Sequence, residues 1–191
     1  MTLQASDVPE THQTPLRVID DFLERELFLS LQAAVLSPSF AWERSAVLSA
    51  SAAAHLGPGE NEQDIHGFYL HKRAVRYVSP ALQIIAPVLD KLAPLALLKV
   101  KVNRTARSER HIEYGLHVDT QRSGATTAIF YLNTNNGYTL FDDGRKVLSM
   151  ENRIVIFDAS TQHTGASCTD APHRLVLNIN LLPRVTQAGQ R

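Results

Sequence analysis

A chain of 191 residues that is 44% hydrophobic carries enough apolar content to bury a sizeable core, and one domain is the expectation. Nineteen Lys plus Arg balance nineteen Asp plus Glu, which excludes an overall field able to hold a polyanion or an anionic membrane surface, so nucleic acid is not indicated as a partner. The single cysteine, Cys168, excludes an internal disulfide framework; the opening MTLQASDVPETHQT lacks the basic-then-apolar order of a secretory leader, no apolar run approaches the ~20 residues of a membrane span, and the expected location is cytoplasmic.

Residues 1 to 15 read as a flexible lead. Leu27, Phe28, Leu31, Ala34 and Val35 then recur at helical spacing in a segment that must end before Ser37-Pro38. Residues 57 to 64, GPGENEQD, show no periodicity and are predicted to form a polar loop. Ser79 as N-cap with Pro80 in the first turn announces a second helix, striped by Ala81, Ile84, Ile85, Val88, Leu89 and Leu92. Pro87 falls inside that stripe and should kink or split it.

From about residue 97 the period drops to two, with Val100 and Val102 alternating with Lys99, Lys101 and Asn103. Residues 126 to 132 form a further strand-like run, Asn136-Gly137 gives a hairpin signal, 138 to 141 a short strand, and Asp143-Gly144 a second hairpin signal. Residues 154 to 157 and 174 to 182 complete the set. The pattern predicts a mainly β (α+β) chain: a helical part over 16 to 96, a β core over 97 to 183 built as an antiparallel sandwich or barrel with the helices on its outside, and a tail over 184 to 191. In the last strand Leu175, Leu177, Ile179 and Leu181 share the face that packs on the helices. Arg174, Val176, Asn178 and Asn180 share the other.

The chemistry centres on YGLHVDT at 114 to 120. His117 and Asp119 are two apart, so on an extended strand both point the same way, and His163 in DASTQHTG can supply a third ligand. Two histidines and a carboxylate on one face leave other coordination positions open, which suits non-haem Fe(II). Arg174, eleven residues on, can bring a planar charged fork into the same space to grip a carboxylate, and Tyr131 can add a hydroxyl donor or be an ordinary strand aromatic.

HVD at 117 to 119, FYLN at 130 to 133, FDASTQH at 157 to 163 and HRLVLNI at 173 to 179, in this order, resemble the 2-oxoglutarate and Fe(II)-dependent dioxygenases of the prolyl 4-hydroxylase-like group. The resemblance covers residues 98 to 182 and, more faintly, VIDDFL at 18 to 23. It implies a double-stranded β-helix (jelly roll) with His117, Asp119 and His163 on iron, Arg174 on the distal carboxylate of 2-oxoglutarate with Tyr131 beside it, and Asn178, with Asn103 as a looser candidate, near the cosubstrate. Tyr114 is expected to line the substrate entrance, and Asn180 to contact substrate or act as a structural hydrogen bonder. The implied reaction is hydroxylation of an unactivated C–H bond with O2 as second cosubstrate and release of succinate and CO2. Ascorbate is an optional reductant and peptidyl proline the leading substrate. A single glycine in NNGYTLF, and an arginine where many collagen-type members have lysine, depart from the group's pattern and leave the substrate open.

Alternatives to this reading are a jelly-roll module that binds metal or ligand without catalysis, and a zinc hydrolase using the same three ligands. The run KVNRTARSER at 101 to 110 holds four basic residues and is read as a solvated loop rather than a guide for an anionic substrate, because no aromatics interleave for base stacking. His55, His66, His71 and His111 lack partners at ligand spacing, and His173 should face away from the cavity. Oligomeric state leaves no signal.

Overall fold

The computed structural model describes residues 15 to 72 and 74 to 184, so the expected lead and tail lie, but for their innermost residues, outside the described chain. The described strands are β1 (Arg17–Ile19), β2 (Glu43–Ala46), β3 (Glu62–Lys72), β4 (Val75–Val78), β5 (Ala96–Ala106), β6 (Thr126–Tyr131), β7 (Tyr138–Phe141), β8 (Lys146–Leu148), β9 (Ile154–Asp158), β10 (His163–Gly165) and β11 (His173–Leu182). The helices are α1 (Arg25–Leu36) and α2 (Ala86–Leu92). Antiparallel pairing joins eight strands in the order β1-β9-β6-β11-β5-β3-β2, with β4 added on β3. A second sheet runs β10-β7-β8. None of the described helices is long and apolar enough to cross a membrane.

The alternation of β11 decides which side of the large sheet is which. Leu175, Leu177, Ile179 and Leu181 enter a core with Val100 and Val102 of β5 and with Phe28, Leu31 and Val35 of α1. Phe28 meets Phe130 edge to face at 6.0 Å. Burying each such side chain contributes about 1.5–3 kcal/mol, so this layer clamps the helices to the sheet. Ile129, Tyr131, Phe141, Phe157 and Val176 form a second core between the two sheets. The site is built on this inner side.

The two helical segments differ in how they follow the pattern: Leu27 of the expected first stripe is exposed, and the expected second helix is divided. Phe28, Leu31 and Val35 are the buried stripe of α1, which stops at Leu36 before Pro38. Ser79 Oγ accepts from the Ala81 N–H at 3.1 Å and starts a 3-10 segment, Pro80–Ile85. Pro87 sits in the first turn of the separate helix α2, the split that its missing N–H requires.

The stretch 16 to 96 departs from expectation by contributing four strands as well as helices. β2 and β4 are almost wholly exposed, and β3 has its register shifted between Gly67 and Tyr69, so no clean alternation marks them. The polar loop at 57 to 64 ends early, because its last three residues already belong to β3. Asp143-Gly144 does turn β7 into β8, with Gly144 at φ 85. Asn136-Gly137, by contrast, is no hairpin: it carries the chain from β6 in the large sheet to β7 in the small one. Glycine is needed there for proximity, since a Cβ on Gly137 would lie 2.7 Å from Arg174 Cδ and 3.0 Å from the Ala166 carbonyl.

Register stacks the inner side chains in rows across three strands. Lys99, Asn180 and Thr127 form one row, and Lys101, Asn178 and Ile129 the next. Asn103, Val176 and Tyr131 follow, then Thr105 with Arg174. Successive rows are two residues apart, about 6.6 Å along the strands.

Candidate metal centre

His163, the first residue of β10, exchanges two backbone hydrogen bonds with His117, at 2.9 and 3.0 Å. That isolated bridge, rather than the extended strand expected at 117 to 119, brings the two imidazoles to a centroid separation of 4.8 Å. Asp119 turns in beside them, with Oδ2 3.6 Å from His163 Nε2. One donor atom from each of the three lies within 4.8 Å of the others.

Both rings are held in one tautomer. His163 Nδ1 is 3.0 Å from the Thr161 carbonyl and His117 Nδ1 is 3.2 Å from the Gly115 carbonyl. A carbonyl only accepts, so each ring donates from Nδ1 and, when neutral, presents the Nε2 lone pair. Burial lowers the His163 pKa against the pull of Asp119, which keeps that ring neutral near pH 7. The carboxylate is oriented in turn: Thr127 donates its hydroxyl to Asp119 Oδ2 at 3.0 Å and accepts from Asn180 Nδ2 at 3.0 Å. Two imidazoles and a carboxylate on one side of a cavity fit a divalent transition metal with open positions, Fe(II) among them.

The centre opens onto a cavity of about 290 Å³. Arg174 stands at its far end, only 6% exposed. Its Nε donates to Ser149 Oγ at 2.8 Å and its Nη2 to Thr139 Oγ1 at 3.3 Å, and its guanidinium lies 5.6 Å from the Tyr131 ring centroid. None of the ion pairs among the described residues includes it. Burial presses its proton affinity down, the signature of a cation held out of water without a counter-anion.

Of the residues singled out in the sequence, His117, Asp119, His163, Arg174, Asn103, Asn178 and Tyr114 all line this cavity. The Asn103 Oδ1 is buried without a hydrogen-bond partner among the described residues. Tyr114 marks the wall, with burial pushing its phenol up to about 12. Tyr131 and Asn180 are placed differently. The Tyr131 hydroxyl donates to Thr139 Oγ1 at 2.8 Å, and the ring sits behind the lining, fully buried. Asn180 is likewise withdrawn, its amide used on Thr127.

The basic run at 101 to 110 is also not a solvated loop. Its first six residues finish β5, and Lys101 lines the cavity together with Lys99. Burial, then the like charge of Lys99, lowers the Lys101 pKa to about 8, with Asp119 opposing. The signal was present in the sequence: if Val100 and Val102 pack outward on helices, the lysines between them must point in. Thr127, Thr139 and Ser149 were missed because a hydroxyl that positions a ligand looks like any strand Ser or Thr until its partners converge.

No family model and no curated protein matches the sequence. Solved structures do match in fold. The chain is similar to a 2OG-Fe(II) oxygenase family oxidoreductase from Burkholderia pseudomallei, at 11% identity and TM-score 0.60 over 87% of this chain and 84% of that one. It is similar to a Trichoplax adhaerens prolyl hydroxylase in complex with a hypoxia inducible factor oxygen degradation domain peptide fragment, at 13% identity and TM-score 0.57 over 87% and 83%. A non-heme alpha ketoglutarate dependent carbocyclase from nogalamycin biosynthesis aligns at 14% identity and TM-score 0.61 over 88% and 79%. The fold of this chain is thus the double-stranded β-helix of the 2-oxoglutarate and Fe(II)-dependent oxygenases.

Proposed function

We propose that this protein is an Fe(II)- and 2-oxoglutarate-dependent dioxygenase that hydroxylates an unactivated C–H bond. The observation that carries the reading is Arg174: a buried cation without a carboxylate partner among the described residues, in one cavity with a His-Asp-His donor set. A dicarboxylate that reaches from guanidinium to metal supplies both missing partners.

In this reading His117, Asp119 and His163 hold Fe(II), and Thr127 with Asn180 fixes the carboxylate that faces it. Arg174 takes the distal carboxylate of 2-oxoglutarate; Ser149 and Thr139 fix its fork, and Tyr131 fixes Thr139. Asn103, with its unpaired oxygen, and Asn178 bracket the cosubstrate, while Tyr114 stands on the substrate side. Loaded with Fe(II), 2-oxoglutarate and O2, the site supplies the two-electron oxidation that inserts one oxygen atom into C–H and releases succinate and CO2. The chain's own part is to orient both imidazoles, aim one carboxylate, and offer a preformed cation in a space shielded from water.

Of the substrates that the resemblance leaves open, a small metabolite has more support than peptidyl proline, because a neutral pyrrolidine makes no use of two lysines in the cavity wall. The test is anaerobic loading with Fe(II) followed by 2-oxoglutarate and O2, with succinate as readout. Wild type forms succinate, His163→Ala does not, and Arg174→Ala needs far more 2-oxoglutarate. A wild type that binds iron but never 2-oxoglutarate rejects the proposal and favours a hydrolase; binding of both without O2 uptake favours a non-catalytic module.

A further inference from the structure

Three cations, Lys99, Lys101 and Arg174, line the cavity against one carboxylate, Asp119. Fe(II) and a 2-oxoglutarate dianion cancel each other in charge, so loading the site as proposed leaves the two lysines uncompensated. Neither lysine makes a hydrogen bond or an ion pair among the described residues. Two other basic residues of the same run are already paired: Arg104 donates to Asp64 Oδ2 from both Nε and Nη2, at 3.1 and 2.8 Å, and Arg110 donates to both carboxylate oxygens of Glu60 at 2.8 and 3.0 Å.

Position separates these lysines from Arg174. Lys101 is in register with Asn178, four residues along β11 from Arg174, so the cations stand about 13 Å apart along the sheet. Lys99 shares its row with Thr127, whose hydroxyl holds Asp119, which puts the lysines at the metal end of the cavity. Across from Lys101 on β3 stands Gly67, where a side chain would meet nothing within 4 Å, so the neighbouring space is open. Two half-buried ammonium groups without partners, beside open space, cost desolvation and mutual repulsion that a bound anion would relieve.

We propose that Lys99 and Lys101 form a second anion subsite that binds a carboxylate or phosphate of the substrate, making the substrate a small organic acid or phosphate ester. This rests on the oxygenase reading and assigns its substrate class. With the substrate anion on the lysines and the distal carboxylate of 2-oxoglutarate on Arg174, the bond to be oxidised lies near the metal between two anchors.

The test uses Fe(II) protein saturated with 2-oxoglutarate under anaerobic conditions, and follows melting temperature as inorganic phosphate or acetate replaces chloride at constant ionic strength. Wild type gains stability with one or both anions, and which of them acts identifies the group. The gain is lost in Lys101→Met and in Lys99→Met/Lys101→Met, and is kept in Lys101→Arg. The 2-oxoglutarate affinity of the Lys→Met variants stays within about 3-fold of wild type, whereas Arg174→Met loses on the order of 100-fold. No stabilisation by either anion, stabilisation that survives in the double variant, or loss of 2-oxoglutarate affinity in Lys101→Met each overturns the subsite. The same anion titration on metal-free Arg174→Met protein reads the lysines alone, so a failure of the oxygenase reading stays distinguishable from a failure of this one.

Discussion

The two faces of β11 are alike in length and opposite in what they require. The outer leucines and isoleucine are complete once α1 and α2 cover them. The inner face places Arg174 in the same row as Thr105 and leaves it without an anion among the described residues. One face is therefore apolar throughout, while the other mixes a core residue, Val176, with polar groups that line the cavity, and substitutions on the two should separate stability from activity.

The sharpest break is His163→Ala, which takes an imidazole from the donor set; iron binding and succinate formation should fall to background while the far-ultraviolet spectrum of the fold persists. Next comes Arg174→Met. Loss of one partner of a buried charge pair costs about 2–5 kcal/mol, so the KM for 2-oxoglutarate should rise on the order of 100-fold or more. Ligand-free melting should not fall, because the variant removes an unpaired buried charge. Leu177→Ala on the outer face should do the reverse: about 2–5 kcal/mol less stable to denaturant, with the KM for 2-oxoglutarate unchanged in the folded protein. A smaller effect is expected from Thr127→Val, which keeps shape but removes the hydroxyl that aims Asp119, and should weaken metal binding by about 10–100-fold.

The smallest effect sits at Lys101, which faces Lys99 and Asp119. Its pKa lies at about 8 in the folded chain against the 10.5 of an ordinary lysine, so between those values the unfolded chain binds the extra proton. Ligand-free stability should therefore rise as pH climbs from about 8 towards 10.5, and Lys101→Met should flatten that rise in a melting series. Anion binding at the lysines should weaken over the same climb, as the ammonium discharges.

The same contrast explains what could be read from the chain before its coordinates. Segments buried on at least one face announce themselves: the leucine alternation of β11, the split at Pro87 and the turn at Asp143-Gly144 are all local patterns with local causes. Strands β2 and β4 left no such trace, because exposure on both faces removes the alternation, and β3 is blurred by Gly67 and its shifted register. At the site, His117, Asp119, His163 and Arg174 could be singled out by residue type and spacing. What could not be read was which hydroxyl holds which ligand. Tyr131 and Asn180 point inward as expected yet are absorbed by Thr139 and Thr127, contacts fixed by cross-strand register rather than by sequence separation. Lys101 was misjudged for a related reason: its charge run looks solvated until Val100 and Val102 are seen to own the other face.

The most direct test of the central claim is an anaerobic titration of 2-oxoglutarate into wild-type, His163→Ala and Arg174→Met protein with and without Fe(II). The account predicts saturable binding in wild type that tightens with iron, loses that iron dependence in His163→Ala, and nearly vanishes in Arg174→Met. Equal 2-oxoglutarate affinity in all three proteins, or binding indifferent to iron in the wild type, would contradict it.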